Sequence, residues 1–471
     1  MTISIQRFLS ALSRVFAAIP VALVSVFSLF FVGCGDSVET PVAEIVEAAP
    51  LVAFDDAVAG YQPRACGFDL DDDGVRGGAS DCAICDGTTT DPDGDGVDED
   101  LIYVDCAAGT DTPTCGTAAE PCGSLAHAWT VIADGAADGA EDIVCFRGTC
   151  DTEKLTPFGG VAGTAKHDGF AYPRDPAMLV GWDHDGDAIY PPADVDDVAV
   201  LTGSGVALLL DAQDDYLELA HFTASGYGRT EDPKGDADPR DSGFLRVQGG
   251  GDDPGALEHL YVHDVVLAEI NRGRKSDARV VTLDLTSAVR PVSWAFENLD
   301  VIDNGGWFVL GVGPDAAPDA GPLRFRHLTR TTLGCNVDDC ATGAASTAFF
   351  LRGYFTGIDI LDSVWDANVG AWQPKPTGGP PGARFVAAAP CAQTWRIERN
   401  EVIDYKNALV VQPYIAGRCD GAGARPVHGV TFADNVVRNG YEPWAYGDVP
   451  VRIEAGGELA GETLGLADAG D

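Results

Sequence analysis

Ile397-Glu398-Arg399-Asn400-Glu401-Val402-Ile403-Asp404 alternates apolar and polar residues, breaks at an Arg-Asn pair, and then turns apolar again. The same shape recurs through the chain. It is seen at Leu217-Glu218-Leu219-Ala220-His221-Phe222, Leu260-Tyr261-Val262-His263-Asp264-Val265 and Phe296-Glu297-Asn298-Leu299-Asp300-Val301. Two further copies are Ile358-Asp359-Ile360-Leu361-Asp362-Ser363-Val364-Trp365 and Phe432-Ala433-Asp434-Asn435-Val436-Val437. Alternation with a period of two is strand-like, and it sorts each copy into an inward apolar face and an outward polar one. The copies recur roughly every 35–45 residues, with one gap of about 60, which is the spacing of a solenoid whose units stack to share a core. Gly, Pro and Asp clusters at 233–239, 311–322 and 374–381 read as long loops between the units. Asn400 and Asn435 occupy matching places, and a polar side chain at such a corner satisfies turn backbone that would otherwise lack partners. The side chains of Leu219, Val262, Leu299, Ile360, Ile397 and Phe432 are expected to point inward.

Upstream, Ile102-Tyr103-Val104-Asp105 is a short strand, and Asp142-Ile143-Val144-Cys145-Phe146 is the next. Between them Ser124 is placed as an N-cap before Leu125, Ala128, Trp129 and Ile132, one apolar helical stripe. Together with Gly109, Asp111, Gly116-Thr117, Pro121 and Gly148-Thr149, this series resembles the N-terminal cap of right-handed parallel β-helix proteins of the pectate-lyase-like superfamily. The resemblance spans about residues 101–455. It implies an all-β, right-handed parallel β-helix with a short N-terminal capping helix and long loops between rungs. A helix in that place would cover the ring of apolar side chains that an open coil exposes.

Residues 1–33 hold Arg7 and Arg14, no acid, and an apolar run from Val15 to Val32 that leads into Phe31-Val32-Gly33-Cys34. This is the layout of a secretory signal. It resembles the lipobox of bacterial lipoproteins, which implies that Cys34 is acylated and that the protein is exported and held at the cell envelope, at the outer membrane or cell surface. An uncleaved membrane anchor is the alternative, with a similar topology. Residues 34–64 read as a flexible tether, and 456–471 as an acidic tail.

The chain has 13 cysteines, so a lipidated Cys34 leaves an even twelve, as suits an oxidising compartment. Proximity in sequence pairs Cys335 with Cys340, Cys391 with Cys419, Cys115 with Cys122, and Cys145 with Cys150. The pairing of Cys66, Cys82, Cys85 and Cys106 stays open. Residues 65–100 are rich in Asp and Cys. Asp69, Asp71 and Asp73 before Gly74, and Asp91, Asp93 and Asp95 before Gly96, are alternate acids closed by a glycine that permits a sharp turn. They resemble the calcium loops of thrombospondin type 3 repeats, which makes calcium the expected cofactor; a solvated acidic linker is the alternative reading.

A net charge of −43 excludes nucleic acid as a partner. Trp365, Trp372 and Trp444 belong to an aromatic-rich C-terminal third and are candidates for stacking on sugars. Arg272, Arg274, Lys275 and Arg279 form a rare basic cluster, in which Lys275 is the candidate base of a calcium-dependent uronate lyase. The Gly-His-Gly and Arg-Ile-Lys motifs of the polygalacturonase branch are absent. His259 and His263 stand about 13 Å apart along a strand, too far to share one zinc. Three functions therefore stand as expectations: a lipid-anchored envelope protein that binds polysaccharide without assigned catalysis, a uronate lyase, and a structural or adhesive surface protein. Oligomeric state is not legible. Labelled fatty acid should enter the wild-type protein and not Cys34→Ala; continued acylation of that variant would overturn the lipobox.

Overall fold

Every pairing between strands in the described part of the chain is parallel. The computed structural model describes residues 85, 100–129, 142–152, 177–182, 199–211, 216–228, 243–248, 259–271, 279–285, 293–302, 304–313, 322–331, 347–353, 355–366, 384–388, 393–403, 405, 407–411, 428–438, 451–453 and 463–464. All belong to one unit, Ala48–Asp471. Among them the strands form two parallel sheets, one of seventeen strands and one of eight. Parallel neighbours cannot be joined by a hairpin, so the chain must leave a sheet and return between them. It does so by alternating sheets. His259–Ala268 lies in the long sheet, Arg279–Asp284 in the short one, Ser293–Ile302 in the long one again, and Trp307–Val312 in the short one. This all-β arrangement of stacked parallel strands is compatible with a β-helix.

The register aligns the sequence copies side by side. Leu219 faces Val262, Val262 faces Phe296, Phe325 faces Ile360, Ile360 faces Ile397, and Ile397 faces Phe432. All of these are buried in one core, as is Leu299, which sits one leg further along its strand than the other expected inward residues. The gap of about 60 residues is not empty. Leu323–Arg326 and Thr329–Thr331 form a rung between Ser293–Ile302 and Thr356–Leu361. Its outward positions are Arg324 and Arg326, whose charge masks the alternation of Leu323 and Phe325. The loop expected to start at Gly311 starts later, because Trp307–Val312 carries that glycine inside the short sheet. The ladder also continues to Thr463–Leu464, which pairs with Thr431 and Phe432.

Corner asparagines stack as a hydrogen-bonded column. Asn435 Nδ2 donates to the Ile397 carbonyl, and its Oδ1 accepts from the backbone N–H and side-chain amide of Asn400. Asn400 donates in turn to the Ile360 carbonyl and accepts from the Ser363 N–H, while Ser363 Oγ accepts from the Leu328 N–H. Ser124 caps the short helix Leu125–His127 by accepting from the His127 N–H, and Leu125, Ala128 and Trp129 are buried in the core. Ile132 lies outside the described residues.

Cys115 is bonded to Cys122, Cys85 to Cys145, and Cys106 to Cys150. The expected Cys145–Cys150 bridge is therefore corrected. Both residues lie on one strand, Asp142–Asp151, where five residues of extended chain span about 16 Å, beyond disulfide reach. Cys85 thus joins the Asp-rich segment covalently to that strand. Cys335, Cys340, Cys391 and Cys419 lie outside the described residues.

Asn400→Ala should strip partners from the segments on either side of it. At about 1–3 kcal/mol for each buried group left unsatisfied, urea unfolding followed by circular dichroism should show a loss of about 3 kcal/mol. Ile397→Asp should cost at least as much by burying a lone carboxylate. An unchanged urea midpoint in either variant would contradict this packing.

Candidate functional site

At several corners along the long sheet the backbone turns through a left-handed residue. His221, Asp264, Asn298, His327, Asp362, Arg399 and Asp434 have φ values from 49° to 60°. Asn, Asp and His tolerate this region better than most residues. At Gly181 an added Cβ would stand 1.9 Å from the His221 carbonyl oxygen, so only glycine allows that corner to close. Strands in a sheet lie about 4.8 Å apart, so corner side chains and the outward side chains just before them form a continuous strip.

At its N-terminal end the strip is buried. His263 is fully buried, its Nε2 2.8 Å from Glu218 Oε1 and its Nδ1 2.9 Å from Asp264 Oδ2. Burial alone would make this imidazole less basic. The hydrogen bonds and charges of Asp264 and Glu218 outweigh burial and raise its pKa to about 9. Burial would likewise raise the Asp264 carboxyl, but bonding and charge from His263 lead the effects that bring it below its ordinary value. Asn298 Nδ2 donates to the other Asp264 oxygen. The His221 ring stands edge-on to His263, with centroids 5.7 Å apart. One coil further, Glu297 pairs in register with His263 and is also fully buried. His327 Nδ1 approaches it at 3.3 Å.

The C-terminal part opens toward solvent and is rich in arginine. Arg396 grips Asp359 through two bonds of 3.0 and 2.6 Å. Arg399 grips Asp362 at 2.7 and 2.8 Å and reaches Glu398 at 3.3 Å. Arg324 and Arg326, nearly buried, lie 3.9 and 3.6 Å from Asp359 and Asp362. Partial burial would raise the Asp362 carboxyl, but Arg399, Arg326 and His327 hold it below the ordinary range.

The structure redistributes the residues expected from sequence. Trp365 is not a sugar platform. It follows Val364 on a leg whose alternation turns it inward, and it packs fully buried against Phe308, Phe349 and Phe385. Trp395 and Tyr405 are core residues as well. Trp372 and Trp444, Arg272, Arg274 and Lys275 of the basic cluster, the acids Asp69, Asp71, Asp73, Asp91, Asp93 and Asp95, and Cys34 lie outside the described residues. Arg279, the fourth member of the basic cluster, begins a strand of the short sheet, away from the strip, with its guanidinium 5.9 Å over Trp307. His259 and His263 do leave the core row, yet both are buried, and they have different surroundings. Burial lowers the pKa of His259, beside Tyr261. The grouping of Glu218, His221 and Asp264 around His263 was not read from sequence. Its signal is the alignment of Leu217-Glu218-Leu219-Ala220-His221 with Leu260-Tyr261-Val262-His263-Asp264, which places His221 and Asp264 at equivalent corners. Neither a scan of protein-family models nor a search of curated proteins finds a match for this chain.

Asp362 offers a pH test. Its folded pKa is depressed, so its contribution is full above the ordinary 3.8 and is lost as pH falls through the folded value. Near neutral pH, Asp362→Asn should cost about 1 kcal/mol, as for a partly exposed ion pair. The gap from wild type in urea midpoints should close below pH 3.8; a gap that persists at low pH would refute the assignment.

Proposed function

We propose that this chain is a lipid-anchored, right-handed parallel β-helix of the bacterial cell envelope that binds acidic polysaccharide along the outer face of its long sheet. The short helix after Ser124 caps the N-terminal end of the coil, and Cys34 carries the lipid. The Asp69–Asp73 and Asp91–Asp95 loops hold calcium.

One observation carries the ligand class. Arg324, Arg326, Arg396 and Arg399 gather on one strip with the carboxylates Asp359, Asp362 and Glu398, in a chain whose net charge is −43. A chain so acidic repels polyanions on average. Guanidinium forks match carboxylate and sulfate oxygens in pairs, and an anionic sugar reaching Arg396 or Arg399 would exchange one carboxylate partner for another. Coil spacing repeats the groups along the strip, as a polymer with a regular charged unit requires. The buried tryptophans leave charge, rather than ring stacking, as the recognition mode at the described residues.

Detergent-solubilised full-length protein should be retained on gels bearing uronate-rich or sulfated polysaccharides and should pass through neutral ones, with retention falling as salt rises. Loss of a charged hydrogen bond of about 1.5–3 kcal/mol predicts at least ~10-fold weaker binding for Arg396→Ala with Arg399→Ala. No retention on any acidic glycan, or retention indifferent to both substitutions, would refute the reading. Parallel incubations with calcium and with chelator are followed by ultraviolet absorbance. An unsaturated product would make the chain a uronate lyase instead.

A further inference from the structure

The buried N-terminal end of the strip has a chemistry that sugar binding does not use. Two histidines and one carboxylate meet there, from two successive coils. We propose that His221, His263 and Asp264 bind one divalent transition-metal ion of the zinc or iron(II) class. One donor atom from each of the three lies within 4.8 Å of the others. Donors held at about 2.0–2.2 Å from one ion stand at most about 4.3 Å apart, so small side-chain rotations complete the site. His263 Nδ1 and Asp264 Oδ2 are already 2.9 Å apart; the ion takes the place of the proton shared between them, which leaves to solvent as the imidazole becomes a neutral ligand.

The surroundings are those that such ligands need. A metal-bound imidazole commonly donates its second N–H to a carboxylate, which fixes the ring and its tautomer. Glu218 Oε1 stands 2.8 Å from His263 Nε2 and leaves Nδ1 facing Asp264. Asn298 holds the other oxygen of Asp264. Thus the outer partners lie on the sides turned away from the proposed ion. The left-handed corners at His221 and Asp264 hold the ligands one coil apart. His263 and Asp264 are buried while His221 is partly exposed, so the ion enters past His221. Two imidazoles favour a transition metal over calcium or magnesium, which prefer all-oxygen cages. Three protein ligands leave at least one coordination position for water or a further ligand. The other group with metal-like composition, Cys115, Cys122 and His127, is closed to this role because its cysteines form a disulfide.

The test uses full-length protein with free thiols alkylated and calcium in excess, so that thiolates and all-oxygen sites do not compete. Zn²⁺ is titrated by calorimetry, and Co²⁺ is added separately to read ligand type from its visible spectrum. The expected result is one tightly bound ion per chain, with a cobalt spectrum lacking thiolate charge-transfer bands. His221→Ala, at a partly exposed corner, should weaken binding at least ~100-fold while native dichroism is kept. Glu218→Gln should weaken it by about 10–100-fold, as for an outer-layer partner, and His127→Ala should leave it unchanged. No stoichiometric uptake by the wild type, or uptake unaltered in His221→Ala, would overturn the site. Because glycan retention is read on Arg396 and Arg399, this outcome and that one are independent.

Discussion

In-register stacking of apolar side chains from strand to parallel strand is the constraint on which the rest depends. Val144, Leu179, Leu219, Val262, Phe296, Phe325, Ile360, Ile397 and Phe432 succeed one another by direct strand pairing and are buried in one core. A slip of one residue in any rung would send its apolar set outward and its charges inward. The aromatic members reinforce the register. Phe296 stacks on Phe325, and Phe325 meets Phe349 edge-on. Because the file is fixed, the residues between its members are fixed on the opposite face, and the polar strip follows.

That strip changes character along its length for reasons of burial. Where Glu218, His263 and Asp264 are covered, each charge requires a close partner, because an isolated buried ion is expensive. Pairing therefore becomes dense, and the His263 pKa rises. Where Arg396 and Arg399 meet solvent, the same kinds of pairs are weaker and exchangeable. One outer face thus holds a buried, closely bonded cluster at one end and solvent-facing ion pairs at the other.

Corners provide a second source of order. The Ser363–Asn400–Asn435 column replaces, with side-chain amides and a hydroxyl, the hydrogen bonds that turning backbone cannot make to itself. It runs beside the left-handed residues whose side chains build the strip. Stability and site geometry are therefore coupled at the same turns. Disulfides add constraint near the N-terminal end, where Cys106–Cys150 and Cys85–Cys145 tie segments 44 and 60 residues apart to the first rungs.

Alternation by itself determined the strand class, the solenoid-like recurrence and the inward residues, because a period of two has only one apolar face to bury. The match of Asn400 to Asn435 was legible for the same reason: equivalent corners need equivalent chemistry. The rung at Leu323–Arg326 was hidden because arginines at its outward positions mimic a loop. Tertiary structure decided what sequence distance cannot express. Cys145 and Cys150 are near in number but separated along one extended strand, whereas Cys85 and Cys145 are brought together by folding. Trp365 reads as a binding aromatic until the strand Val364–Asp366 turns it inward. Glu218 and His263 are 45 residues apart and meet only because parallel pairing sets Leu260 beside Leu217, and the register that fixes this meeting is a property of the paired strands, not of either segment.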